Sequence, residues 1–79
     1  MPTIAKISGA YRFFFYSFDC NEPVHVHVKR ERFTCKFWLK PVTLAGNEGF
    51  APNELSRIRA LIVQHRAYIM EAWHEHCGH

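Results

Sequence analysis

Valine and histidine alternate without interruption through Pro23-Val24-His25-Val26-His27-Val28. A period of two is that of a β-strand with one buried and one displayed face, so the three valines point one way and both imidazoles the other. Phe33-Thr34-Cys35-Lys36-Phe37-Trp38-Leu39 alternates in the same sense, and Tyr11-Arg12-Phe13-Phe14-Phe15-Tyr16 is too aromatic for a loop. Strands are therefore expected over about 3–7, 11–16, 24–29 and 33–39, with a short edge strand at 42–44. Gly9, the turn-forming Asp19-Cys20-Asn21-Glu22-Pro23, the charged connection Lys29-Arg30-Glu31-Arg32 and Pro41 punctuate them. Gly46-Asn47-Glu48-Gly49 reads as a loop whose glycines permit positive φ.

From Pro52 onward the period becomes helical. Proline suits the first helical position and Glu54 the first turn, although Ala51 is a weak N-cap. Leu55, Ile58, Ile62, His65, Ile69, Ala72 and His76 recur at alternating spacings of three and four, and Leu61 and Trp73 widen the stripe. These elements predict an α+β fold as a single domain over 1–79. A three- to four-stranded antiparallel sheet carries one long C-terminal helix, over about 52–76 and straight or kinked, on one face.

Register follows from matching faces. Phe33, Cys35, Phe37 and Leu39 should share the valine face, and pairing Val28 with Phe33 sets His25 opposite Lys36 and His27 opposite Thr34. If Arg12 avoids the core, Phe13 and Phe15 point inward. The opposite, displayed face then reads Arg12, Phe14, Tyr16, His25, His27, Lys36 and Trp38.

Composition narrows the class. An apolar fraction of 48% with seven Phe in 79 residues supplies a packed core, at a size where small proteins often gain stability from a partner, a second copy or a metal. A formal charge of +3 and a pI near 9.0 point toward acidic partners, nucleic acid or an acidic protein, without separating them. Cys20, Cys35 and Cys77 cannot all pair within one chain, which suggests a reducing compartment rather than a disulfide scaffold. No apolar run is long enough to cross a membrane and the N-terminus lacks a signal-peptide stretch, so a cytoplasmic location without membrane association is expected.

Four readings of the displayed face remain open. Cα atoms two strand positions apart lie roughly 7 Å from each other, so His25 and His27 could grip one zinc ion. Further ligands would have to come from Glu22, Cys20, His74, His76, Cys77 or His79, none fixed to the strand by its spacing. Without any cofactor, one imidazole as base and the other as acid, with Arg12 or Lys36 stabilising the charged phosphorane, would suffice for metal-independent RNA cleavage. Phe14, Tyr16 and Trp38 beside Arg12 and Lys36 also suit a platform for single-stranded RNA or for a protein partner. Finally, the histidines can be structural, donating hydrogen bonds to a neighbouring loop. His65 on the apolar stripe is expected to be a satisfied core histidine, and Arg57, Arg59 and Arg66 a solvated face. The tail His74-Glu75-His76-Cys77-Gly78-His79 is metal-like in composition but lies at a terminus.

Met1-Pro2-Thr3-Ile4, the aromatic Tyr11–Tyr16 segment, Pro23–Val28, Lys36-Phe37-Trp38-Leu39, Gly49-Phe50 with Pro52 and Glu54-Leu55, and Glu71-Ala72-Trp73 together resemble the domain-of-unknown-function 4160 family of small bacterial proteins. The resemblance spans nearly the whole chain. It implies a toxin–antitoxin-type component with a cognate small protein partner, and it carries His25, His27, Lys36, Trp38 and Trp73 as motif residues without assigning a reaction. Arg30-Glu31-Arg32 lacks the glycine expected in that hairpin, Ala51 stands where a hydroxyl cap is usual, and the end of the chain is less aromatic than the family's.

Overall fold

A computed structural model of the chain describes residues 3–4 and 10–78. Four antiparallel strands, β2 (Arg12–Phe14), β3 (His25–Arg30), β4 (Phe33–Leu39) and β5 (Val42–Glu48), lie side by side in chain order, and the two-residue β1 (Thr3–Ile4) joins the outer edge of β2. Helices α1 (Pro52–Gln64) and α2 (Arg66–Cys77) follow. Of the strand expected at 3–7, residues 5–7 lie outside the described residues.

One face of the sheet is the core. Val26, Val28, Cys35, Phe37, Leu39 and Phe13 alternate inward and meet Ile58 and Ile62 of α1 and Ile69 and Trp73 of α2. Each buried aliphatic or aromatic side chain contributes roughly 1.5–3 kcal/mol, which lets the helices hold a small sheet that would be marginal alone. Phe15 leaves β2 yet stays buried, edge-on to Trp73 at 5.4 Å, so the inward assignment of Phe13 and Phe15 agrees with the structure.

The register differs from the expected one by two residues. β3 continues to Arg30, which pairs with Phe33, so that Val28 faces Cys35, His27 faces Lys36 and His25 faces Trp38. The reason is the turn. Glu31 adopts a φ of 56°, a left-handed conformation that closes the hairpin in two residues where a four-residue connection was expected. Because the slip is even, every side chain keeps its face.

β5 also runs further than expected, to Glu48, after a bulge opposite Lys36/Phe37. Only Gly49, with φ 107°, takes the positive φ expected in this region, and a Cβ there would collide with the Phe33 ring. Asn47 then brackets Phe50, accepting its N–H at 3.1 Å and donating to its carbonyl at 2.9 Å, which organises the approach to α1 where Ala51 offers no side-chain cap. Glu54 in the first turn accepts hydrogen bonds from Arg30 Nη2 (2.8 Å) and from the Tyr11 hydroxyl (2.9 Å), tying α1 to β3 and to the segment before β2.

The single helix expected over 52–76 is two. His65 departs from helical geometry (φ −106°, ψ 18°), caps α1 and begins α2, and is half-buried at the break rather than enclosed in the core. An unbroken helix of that span would run about 37 Å, whereas the longest strands reach only about 23 Å. Bending at His65 keeps both halves of the stripe on the sheet, and Arg66 Nε secures the bend by donating to the Leu39 carbonyl at 3.0 Å.

Cys20 and Cys77 form a disulfide, whereas three cysteines that cannot all pair suggested a reducing compartment rather than a disulfide scaffold. The chain brings the segment after β2 against the end of α2, with the two Cα atoms 5.4 Å apart, and leaves Cys35 as a buried free thiol. No helix among the described residues is long and apolar enough to cross a membrane.

Candidate functional site

The histidine face is not displayed. After β2 the chain folds back across it through a tight turn in which the Asp19 N–H donates to the Tyr16 carbonyl (3.1 Å) and the Tyr16 N–H donates to Asp19 Oδ2 (2.7 Å). A 3-10 turn over Asp19–Asn21 continues it, and the Asp19 carboxylate is aimed inward at the two imidazoles. Phe14 and His25 are buried, Tyr16, His27, Lys36 and Trp38 are half-buried, and of the expected face only Arg12 is exposed.

Three donor groups converge there. Asp19 Oδ1 lies 3.2 Å from His25 Nε2 and Oδ2 lies 3.1 Å from His27 Nε2; the side chains of Asp19, His25 and His27 are 3%, 0% and 16% exposed. His25 Nδ1 donates to the Pro23 carbonyl at 2.8 Å, which in a neutral ring leaves the lone pair on Nε2. Both Nε2 atoms are shielded from solvent and, close as they are to the carboxylate, neither has a regular hydrogen-bond partner. A buried polar nitrogen in that condition is costly unless something else satisfies it.

The rings are held from all sides. His25 packs edge-on against Trp38 (5.5 Å), Trp73 (5.2 Å) and His27 (5.0 Å). His27 stacks on Phe14 at 5.5 Å and meets Tyr16 at 4.7 Å. Burial pushes the His27 imidazole below its usual pKa; Asp19 opposes that shift, while His25 and Lys36 add to it. Lys36 is engaged rather than offered, with Nζ 2.6 Å from Glu22 Oε1 and 4.5 Å from the Trp38 ring centre. Its hydrogen bond holds the Glu22 carboxyl below the usual carboxylate range. Arg12 lies at the rim with its guanidinium 5.3 Å from the Phe14 ring centre.

The structure thus gathers His25 and His27 with Phe14, Tyr16, Lys36 and Trp38, and adds Asp19, which sequence reasoning placed in a turn. Glu22 and Cys20, the expected nearby ligands, are committed to Lys36 and Cys77. The available signal was position: Asp19 is an acid flanked by Phe18 and Cys20, one turn before the histidine strand. Asp19, His25 and His27 each offer a ligand atom within 4.8 Å of the others, as do Cys20, His76 and Cys77 near the end of α2. His79 lies outside the described residues.

The model of the family described as "Domain of unknown function (DUF4160)" matches residues 10–74, which include the three strands of the site, Asp19 and Trp73. The chain belongs to the DUF4160 family. No curated protein and no solved structure matches it. The DUF4160 match confirms the resemblance read from the sequence motifs and assigns no activity to the site.

Proposed function

We propose that this DUF4160 protein binds a divalent transition-metal ion of the zinc class through the Asp19 carboxylate and Nε2 of His25 and His27. The observation that carries the proposal is the pair of shielded Nε2 atoms, 3.1–3.2 Å from carboxylate oxygens yet without a regular hydrogen-bond partner. Donors bound to one zinc at about 2.0–2.2 Å and near-tetrahedral angles stand roughly 3.3–3.6 Å apart, so contacts of 3.1–3.2 Å need only a slight opening to share an ion. Two imidazoles and a carboxylate are a donor set for zinc or iron(II), and the Nδ1–H to Pro23 bond is the kind of outer contact that orients a ligating histidine. A bound ion would supply Lewis acidity at any coordination position the protein leaves open. His27, the partly exposed member, marks the side from which a further ligand would arrive.

The test uses tag-free protein with its disulfide intact. Equilibrium dialysis with zinc is expected to give one ion bound per chain, with Asp19→Asn and His27→Ala each weakening binding by at least about tenfold. Equal zinc binding by wild type and both variants would overturn the proposal.

A toxin–antitoxin-type component that engages RNA is the second reading, favoured by Arg12 and Lys29, which pair across β2 and β3 and are both exposed beside His27. Full burial of His25 argues against an acid–base pair of imidazoles acting on a phosphate, so this reading concerns binding rather than cleavage. Each phosphate neutralised on a single strand would steepen the log–log salt dependence by roughly 0.7. A shallow slope with tight association would instead favour a cognate protein or a second copy, for which Phe18, 67% exposed and stacked on Tyr16 at 5.3 Å, would offer an apolar contact.

A further inference from the structure

The metal-like tail acquires a partner in the fold. Cys77 and His76, consecutive residues at the end of α2, come against Cys20 from the 3-10 turn, and a ligand atom from each lies within 4.8 Å of the others. All three are half-buried, so an ion or a small thiol can reach them. His76 is held in place by its ring stacked on Phe15 at 5.6 Å and by Nε2, which donates to the Tyr16 carbonyl at 3.2 Å. That donation leaves the lone pair of a neutral ring on Nδ1. Gly78, in a left-handed conformation with its N–H on the His74 carbonyl, ends the helix immediately after Cys77.

We infer that Cys20, His76 and Cys77 form a second, redox-dependent metal site, taking a thiophilic divalent ion such as zinc when the two cysteines are reduced, with the disulfide as its metal-free state. Two thiolates and an imidazole are a recurrent zinc donor set, and passing from a shared bond to a shared ion parts the sulfurs from about 2 Å to roughly 3.8 Å, within reach of side-chain rotation. The exchange balances with a small-molecule thiol as reductant. Two such thiols supply two electrons and two protons, the Cys20–Cys77 bond breaks to give two protein thiols, and the reductant leaves as its own disulfide. Zinc then displaces the two thiol protons. In either state the turn carrying Asp19 and Cys20 stays fastened to α2, by a covalent bond or through the ion. The site uses none of the Asp19, His25 and His27 donors and stands independently of the function proposed for them.

The test is cobalt(II) titration of tag-free, full-length protein under oxygen-free conditions, before and after reduction by a phosphine, which consumes one water and leaves as its oxide. Reduction is expected to produce a thiolate-to-cobalt charge-transfer absorption in the near ultraviolet that zinc abolishes. The absorption should survive in His25→Ala and be lost in the Cys20→Ser/Cys77→Ser double variant. Cys35 is a poor substitute, since burial pushes its thiol up to about 12. No thiolate absorption in the reduced wild type, or the same absorption in the double variant, would overturn the inference. Comparing oxidised and reduced wild type keeps the test independent of how well any variant folds.

Discussion

Asp19 Oδ1 lies 3.2 Å from Nε2 of His25, and both side chains are buried. The carboxylate also accepts the Tyr16 N–H at 2.7 Å and faces His27, so one residue closes the turn and charges the interior of the site. Asp19→Ala in metal-free protein is expected to cost about 1–3 kcal/mol, because it leaves the part-buried Tyr16 N–H without its charged acceptor. Asp19→Asn, which keeps an acceptor for Tyr16, should cost less. Urea unfolding midpoints check both, and an unchanged midpoint in Asp19→Ala would mean that the carboxylate does not organise the turn.

The disulfide joins residues 57 positions apart, so it restricts much of the unfolded chain. Reduction, or Cys77→Ser, is expected to lower stability by about 2–4 kcal/mol in the absence of metal, the loop-closure limit for this length being about 4 kcal/mol. Denaturation with and without reductant measures the difference. A gain in stability on adding zinc to the reduced protein that exceeds the gain zinc gives the oxidised protein would follow from the second metal site.

Glu54 should make stability sensitive to acid. Its carboxyl is held below the usual range first by the hydrogen bond from Arg30, with Tyr11 adding a second. A depressed folded-state pKa stabilises the protein fully above the ordinary carboxylate range and is lost as pH falls through the folded value. Glu54→Gln is therefore expected to destabilise at neutral pH and to narrow its gap from wild type below about pH 4. A gap of constant size across a pH series of unfolding curves would show that the ion pair contributes nothing.

Glu31 holds a φ of 56°, which strains a residue with a Cβ. Glu31→Gly should raise stability by about 0.5–1 kcal/mol after the added freedom of the unfolded chain is counted, since the exposed pair with Arg30 is worth little. The thermal midpoint reads the sign directly. A fall would mean that contacts of Glu31 outweigh its backbone strain.

Much of the architecture was legible because alternation is a local property. Val24 to Val28 and Phe33 to Leu39 reveal their faces without knowledge of their partners, and the spacing from Leu55 to His76 reveals a helical stripe. The register was not legible, because it depended on whether Glu31 would accept a left-handed conformation at a position where glycine is usual. The break at His65 was equally hidden, since periodicity counts residues along a helix and not the length of the sheet beneath it.

The candidate site divides in the same way. The sequence by itself determined that His25 and His27 share a face, because a period of two leaves no other choice, and matching apolar faces between strands added Lys36 and Trp38, with Phe14 following once Arg12 is kept out of the core. Only the tertiary structure decided that this face is covered, that Asp19 supplies its charge, and that Cys20 meets Cys77. Those outcomes depend on the path of the turn between β2 and β3, which brings residues distant in the chain together and has no periodicity of its own to announce where it will fold.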